Sequence, residues 1–321
     1  MVAIARKIPS APAAPQSEFA RDVLAGLGKT PKTISPKYFY DSEGSRLFED
    51  ITQIAEYYPT RSEIEILKSH AADMGALFPK DTALIEFGSG ASTKARVLLD
   101  AAPNVAAYVP VDVSAEFLAQ EAASLHKDYP KLNVVPVAAD FTQDFELPQQ
   151  IAAMPRAGFF PGSTIGNFDP HDACAFLEHA RRILGPESVL IIGVDLEKDS
   201  NVLHAAYNDA SGVTEQFNIN LLRRMNRELD ADFDISRFEH HAFYNRERHR
   251  IEMHLASVKR QKVRVAGETI EFKAGETIHT ENSYKYSVES FASMARGCGW
   301  KPLTVWLDKK KYFSVHAMRA S

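Results

Sequence analysis

The chain has 321 residues, 45% hydrophobic and 25% charged, the profile of a folded globular protein rather than a disordered or fibrous one. At roughly 100–200 residues per domain, that length suggests two domains. Forty-two acids against 37 lysines and arginines give a net charge of −5, so a chain-wide basic footprint for nucleic acid is missing.

The first residues, MVAIARKIPSAPAAPQ, carry two basic side chains but no apolar segment, which argues against a secretory signal. Their Ala and Pro content reads as a flexible tail over residues 1–15. The longest apolar runs are strand-sized, such as 189–194, whereas a membrane span needs about 20 residues. Cys174 and Cys298 are too few for a disulfide framework, which favours a reducing compartment and a cytoplasmic location.

From residue 61 to about 196 the pattern alternates. Helical stretches are expected at 62–77, 92–100, 115–126 and 172–184, and apolar strands at 83–87, 106–111, 134–138, 158–160 and 188–194. Short buried strands separated by helices imply βαβ units, right-handed crossovers and a doubly wound parallel sheet. The rhythm breaks after 196. Residues 197–230 read as helical, and strands follow at 238–243, 250–259, 262–265 and 268–272, the last two flanking the hairpin signal Ala266-Gly267. After Tyr286 comes a helix, then strands at 303–307 and 312–318 joined by the Lys-rich turn 308–311. The chain thus leaves an α/β domain (61–196), makes an α+β insertion (197–286) and returns to close the first domain (287–321).

The sharpest local string is Ala-Leu-Ile-Glu86-Phe-Gly88-Ser-Gly90, an apolar strand that ends in an acid and a Gly-x-Gly turn before a helix start at Ser92-Thr93. Glycine lets the backbone turn sharply and approach a ligand. Thr93 stands where a dinucleotide fingerprint has its third glycine, and no P-loop is present. Asp112 ends the next strand, 22 residues after Gly90, a spacing that suits ribose hydroxyls. Asp140 precedes Phe141, a pair able to accept an adenine amino hydrogen and cover a ring face. Three acids at successive strand ends lie on the edge where open α/β sheets bind ligands. The set resembles the S-adenosylmethionine site of class I methyltransferases. It implies that cofactor, with Glu86, Gly88, Gly90, Lys94, Asp112, Asp140 and Phe141 as its contacts.

Other strings are more specific: Lys37-Tyr-Phe-Tyr40-Asp41, Glu56-Tyr57-Tyr-Pro-Thr-Arg61, Phe160-Pro-Gly162-Ser-Thr-Ile-Gly-Asn167, Ala206-Tyr207-Asn-Asp209, Ile251-Glu-Met253-His254 and Ile278-His-Thr-Glu281-Asn-Ser283. Taken in order from about residue 20 to the C-terminus, they resemble the histidine-specific Nα-methyltransferases of ergothioneine biosynthesis. The resemblance implies a class I methyltransferase sheet whose last strand is antiparallel. It also implies a substrate domain built from 16–60 and 197–286. The implied reaction is trimethylation of the α-amino group of L-histidine to hercynine. Implied roles follow: Tyr40 at the amine and Tyr57 at the imidazole, Asn167 and Tyr207 at the substrate carboxylate, and Gly162 and Asn167 near the amine. Tyr40 and Asn167 are the implied catalytic pair, and Met253 packs near the ring.

The same residues carry a chemical argument of their own. Small residues at 162–167 free backbone N–H groups to face an anion, although Asn167 also suits a helix cap near His171. Glu281 and Ser283, two apart on a strand, point the same way. A carboxylate can accept from one imidazole N–H while a hydroxyl partners the other nitrogen. Tyr40, Tyr57 and Phe217 would wall a sulfonium and a growing quaternary ammonium through cation–π attraction. No general base is assigned, Tyr40 and a water chain being the candidates.

Alternatives are a related enzyme acting on another amino acid, a catalytically silent scaffold, and an NAD-dependent oxidoreductase. No metal site is expected from His240, His241, His249, His254 or His279, since no metal-ligand motif is present and His249 and His254 would face opposite sides of a strand. A small-molecule substrate, no nucleic acid, no membrane and a monomer complete the expectations.

Overall fold

The computed structural model describes residues 17–321, so the tail expected over 1–15 lies outside the described residues. The described chain opens with α1 (Glu18–Leu27), capped where Ser17 accepts from the Ala20 N–H, and β1 (Lys32–Thr33). Asp41 caps α2 (Ser42–Gln53) by accepting from the Gly44 N–H, and Pro59 sits in the first turn of α3 (Tyr58–Gly75).

The alternating region then supplies β2 (Thr82–Phe87), α4 (Thr93–Ala101), β3 (Val105–Asp112), α5 (Ala115–Asp128), β4 (Asn133–Val134), β5 (Val137–Ala138), β6 (Arg156–Phe160), α6 (Pro170–Leu184) and β7 (Val189–Asp195). The strand expected at 134–138 is split in two, because Pro136 has no N–H to give a ladder. The helical stretch expected at 197–230 is also two elements, α7 (Ser200–Tyr207) and α8 (Val213–Glu228). Gly212, with φ +71°, breaks them, and Asp209 caps the second by accepting from the Val213 and Thr214 N–H groups.

The remaining elements are β8 (Phe238–Asn245), β9 (Arg250–Ser257), β10 (Gln261–Val265), β11 (Glu268–Phe272), β12 (Thr277–Tyr284), α9 (Val288–Gly297), β13 (Trp300–Leu307) and β14 (Phe313–Ala320).

The large sheet has the order β13-β14-β7-β6-β2-β3-β4, with β5 also on β3. Strands β2, β3, β6 and β7 run parallel, and β14 lies antiparallel between β7 and β13. This is the expected doubly wound α/β sheet of a class I methyltransferase, last strand reversed. Alternate residues of β2 feed two cores, Ile85 and Phe87 on one face and Leu84 on the other. A smaller sheet, β1-β12-β9-β8, and the β10–β11 hairpin enclose a third core drawn from 19–58 and 203–278.

The two sheets meet beside the carboxyl ends of the parallel strands. The Tyr286 N–H donates to Asp195 O at 3.1 Å, leading β7 into the segment after β12. Gly166 lets the 164–167 turn press on β12, for a Cβ there would lie 2.8 Å from the Tyr284 carbonyl oxygen. Although too few for a framework, Cys174 and Cys298 are bonded to each other, joining α6 to the end of α9, with Cα atoms 5.6 Å apart. The two helices pack side by side under the sheet, and their residues face one core.

Candidate active site

On the cofactor edge, Gly88 and Gly90 have φ +69° and +44°, which favour glycine. A Cβ on Gly88 would lie 3.0 Å from the Phe141 ring, so Phe141 closes over the turn. Asp112 accepts from the Gly90 N–H at 3.2 Å and the Ser114 N–H at 3.1 Å. Asp140 accepts from Thr142 through its N–H (2.9 Å) and hydroxyl (2.6 Å). Glu86 is buried at the end of β2 and accepts from the Tyr108 hydroxyl. Burial pushes its carboxyl up to about 8, a group poised to ionise beside a cation.

The Gly162 N–H is not open to an incoming anion. It donates to the buried Glu63 at 2.9 Å, and the Lys94 ammonium pairs with the same carboxylate at 2.7 Å. A buried carboxylate needs donors, and these two are within reach. Lys94 and Gly162 therefore stand together at the mouth of the site, tied by a residue that no motif singled out. Ser163, at φ +56°, is held by the Asp195 N–H, which donates to its hydroxyl at 2.8 Å. Asn167 closes the turn half-buried. Its side chain makes no hydrogen bond among the described residues, and Asp169 rather than Asn167 holds the N-cap position of α6.

The pocket on the smaller sheet is built around β12. A bulge between His279 and Glu281 resets its register on β9, so Met253 pairs with Glu281 and Ile251 with Ser283. The Glu281 carboxylate has no hydrogen-bond partner among the described residues. Burial raises it to about 7, with Lys285 acting against the rise.

Ser283 is different. Its oxygen accepts from the Tyr207 hydroxyl at 2.8 Å and from the Lys285 ammonium at 2.7 Å. A hydroxyl has two acceptor sites and one proton, so with both acceptor sites filled its proton is left for a further partner. Tyr207, implied to hold a substrate carboxylate, thus has its hydroxyl engaged by Ser283 here. Behind this pair lies Asp195, almost fully buried, at 2.7 Å from Lys285, 2.5 Å from Lys198 and 2.7 Å from the Tyr58 hydroxyl. Burial raises its carboxyl, but the two lysines outweigh that and hold it below the usual range. The same burial brings Lys198 down to about 8.

Aromatic rings form the wall. Tyr40 meets Phe48 edge-on at 5.7 Å and Phe217 at 5.9 Å, while Tyr57 meets Phe48 and Tyr207, each at 6.4 Å. Burial, then the charge of Glu281, raises the Tyr40 hydroxyl well above its ordinary value, with Asp112 also contributing. Tyr40 therefore feels the charge of both the cofactor-edge acid and the substrate-side acid. Its hydroxyl therefore keeps its proton at neutral pH. Burial raises Tyr57 and Tyr207 in the same direction, Glu281 adding to both. Reading the sequence misses Phe48, Glu63, Asp195, Lys198 and Lys285. Only the buried-charge pattern of Lys285, two residues past Ser283 on the same strand parity, offered a signal.

The family model described as histidine-specific methyltransferase, SAM-dependent, matches residues 19–320. The chain belongs to this family. It is 40% identical over 304 residues to the histidine N-alpha-methyltransferase of Mycobacterium tuberculosis and 42% over 304 residues to that of Mycolicibacterium smegmatis, covering 92% of each chain in both comparisons. It is also 31% identical over 299 residues to ergothioneine biosynthesis protein 1 of Neurospora crassa, covering 91% of this chain and 33% of that one. The protein is an S-adenosylmethionine-dependent methyltransferase. The glycine turn under Phe141, the strand-end acids and the buried Glu86 fit a cationic nucleoside cofactor. No helix among the described residues is long and apolar enough to cross a membrane.

Proposed function

We propose that the protein transfers three methyl groups from S-adenosylmethionine to the α-amino group of L-histidine, giving hercynine, the first step of ergothioneine biosynthesis. The observation that carries this reading is the pair of polar groups on β12, a Glu281 carboxylate without a partner and a Ser283 hydroxyl whose oxygen is filled by Tyr207 and Lys285 and whose proton is left over. Glu281 offers an acceptor and Ser283 offers a proton, the complement of a neutral imidazole with its one N–H and one lone pair. An apolar side chain would leave both unpaired in a buried pocket, which costs a site of this kind about 10⁴ or more in selectivity.

In this reading 16–60 plus 197–286 form the substrate-recognition domain, and 61–196 plus 287–321 form the cofactor domain. Glu86, Gly88, Gly90, Lys94, Asp112, Asp140 and Phe141 hold the cofactor, which supplies an electrophilic methyl group to the amine. Asn167, with its free amide, takes the α-carboxylate or amine beside Gly162. Tyr207 supports Ser283 and comes to the carboxylate only by re-aiming its hydroxyl. Tyr57, Met253, Glu281 and Ser283 seat the ring.

The protein's contribution is alignment of the amine, worth most when the reacting atoms stand about 3–3.5 Å apart. Tyr40, protonated, orients the amine as a hydrogen-bond partner and leaves deprotonation to solvent. As methyl groups accumulate, hydrogen bonding at the nitrogen is lost, and the faces of Tyr40, Phe48 and Phe217 attract the growing cation.

The test is incubation with S-adenosylmethionine and all twenty amino acids, read by mass spectrometry. Gains of 14, 28 and 42 mass units on histidine alone are expected, about 14 per methyl carried by the proposed reaction. Methylation of tryptophan or tyrosine instead, or arrest at one methyl, would overturn the reading.

A further inference from the structure

The smaller sheet has a second face, turned away from the pocket. Along β9, Ile251, Met253 and Leu255 enter the apolar core, so Arg250, Glu252 and His254 stand on the other side. Register places His279 of β12 directly opposite His254, and their rings stack with centroids 4.6 Å apart. One carboxylate oxygen of Glu252 and one nitrogen of each ring lie within 4.8 Å of one another. The Glu252 Oε2 to His254 Nε2 distance is 3.2 Å. Two ligands of a tetrahedral ion bound at about 2.0–2.1 Å stand about 3.3 Å apart, so this pair already has ligand spacing.

The surroundings orient each donor outward. Arg250 donates to Glu252 Oε1 through Nε (2.8 Å) and Nη2 (2.7 Å), and Asn245 donates to the same oxygen at 3.0 Å. Oε2 is left facing His254. His279 Nε2 lies 3.1 Å from the Glu281 carbonyl oxygen, which only accepts, so Nε2 carries the proton and Nδ1 keeps its lone pair. Without an ion the His254 Nε2–H donates to Glu252 Oε2 at 3.2 Å; an ion would take that proton's place, the ring keeping its proton on Nδ1, where Thr277 Oγ1 stands 3.2 Å away as acceptor. Partners of this kind fix the tautomer and ring angle of metal-bound histidines.

We propose that Glu252, His254 and His279 bind one divalent transition-metal ion of the zinc class. Two imidazoles and one carboxylate favour zinc, cobalt, nickel or copper over magnesium and calcium, which prefer all-oxygen sets. The ion clamps β9 to β12, and the opposite faces of those strands carry Met253, Glu281 and Ser283. It is a strand-tying ion outside the reacting centre. The spacing 252, 254 and 279 matches no metal motif, which is why the sequence led to the opposite expectation.

The test uses tag-free, chelator-stripped full-length protein titrated with Co²⁺, followed by visible d–d absorption, and then with Zn²⁺ by calorimetry. One equivalent of Co²⁺ is expected, displaced by Zn²⁺, and His254→Gln or His279→Asn should weaken it by more than about 100-fold. The thermal transition of each apo variant, read alongside, shows that it folds. Absence of stoichiometric binding by the wild type, or equal binding by the folded double variant, would overturn the proposal.

Discussion

At the cofactor edge each acid is satisfied close to home: Asp140 by Thr142, Asp112 by Ser114 and Gly90, and Glu86 by the Tyr108 hydroxyl on the adjacent strand. The substrate pocket follows another plan. Glu281 is left without a partner, and Ser283 is set by groups from α7, β7 and the end of β12. The difference teaches where selectivity is stored. A cofactor common to many enzymes is met by a local turn and its own loops, whereas an amino acid is singled out by groups that stay unspent until the right ring arrives.

Four perturbations sharpen or break this contrast. The largest effect is expected from Glu281→Ala. Calorimetry should show histidine affinity falling at least about 100-fold, because a buried imidazole N–H loses its acceptor. S-adenosylmethionine affinity should stay within about threefold of wild type. A parallel loss of both would mean that the two regions are not separate in function.

Lys285→Met comes next. It breaks a fully buried ion pair with Asp195, and such losses cost about 3–5 kcal/mol of stability. The thermal transition should drop, and KM for histidine should rise more than kcat falls, since Ser283 loses one of its two donors. Lys285→Arg should recover part of the KM effect, and an unchanged KM would remove Lys285 from the positioning of Ser283.

Asp112→Ala should weaken S-adenosylmethionine by about 10–100-fold, the scale of a charged hydrogen bond, and leave the histidine pocket intact. Equal cofactor affinity in this variant would contradict the ribose assignment.

The smallest effect is one of pH. Burial raises Glu281 to about 7, so below that pH the carboxyl is increasingly protonated and stops accepting an N–H. Histidine affinity should therefore fall as pH drops from 8 to 6. Glu281→Gln should retain only the dependence of the histidine imidazole itself, near 6.5. An identical pH profile for wild type and Glu281→Gln would contradict the role of that carboxylate.

The cofactor edge was legible because its information is local. Glu86, Gly88 and Gly90 lie within five consecutive residues, and the strand rhythm of 83–194 places Asp112 and Asp140 at the same edge. Pro136 and Gly212 punctuated that rhythm in ways a coarse periodicity overlooked. The pocket was only partly legible. Glu281 and Ser283 declared themselves by parity, but the bulge after His279 and the reach of Lys285 to Asp195, 90 residues earlier in the chain, belong to tertiary structure. Gly162 shows the reverse error. Its composition suggested an open anion-binding N–H, yet Glu63, on a helix a hundred residues away, had claimed it. The link between Cys174 and Cys298 likewise follows from helix packing that spacing does not encode.

The central claim is that the pocket reads a neutral imidazole, Glu281 accepting and Ser283 donating. The most direct measurement is ¹⁵N NMR of ring-labelled histidine bound to the enzyme with S-adenosylhomocysteine at pH 7.5, a condition about one unit above the ordinary imidazole value. One protonated and one lone-pair nitrogen are expected, with the protonated signal lost or shifted in Glu281→Gln. Two protonated nitrogens, or a spectrum that ignores the substitution, would contradict the account.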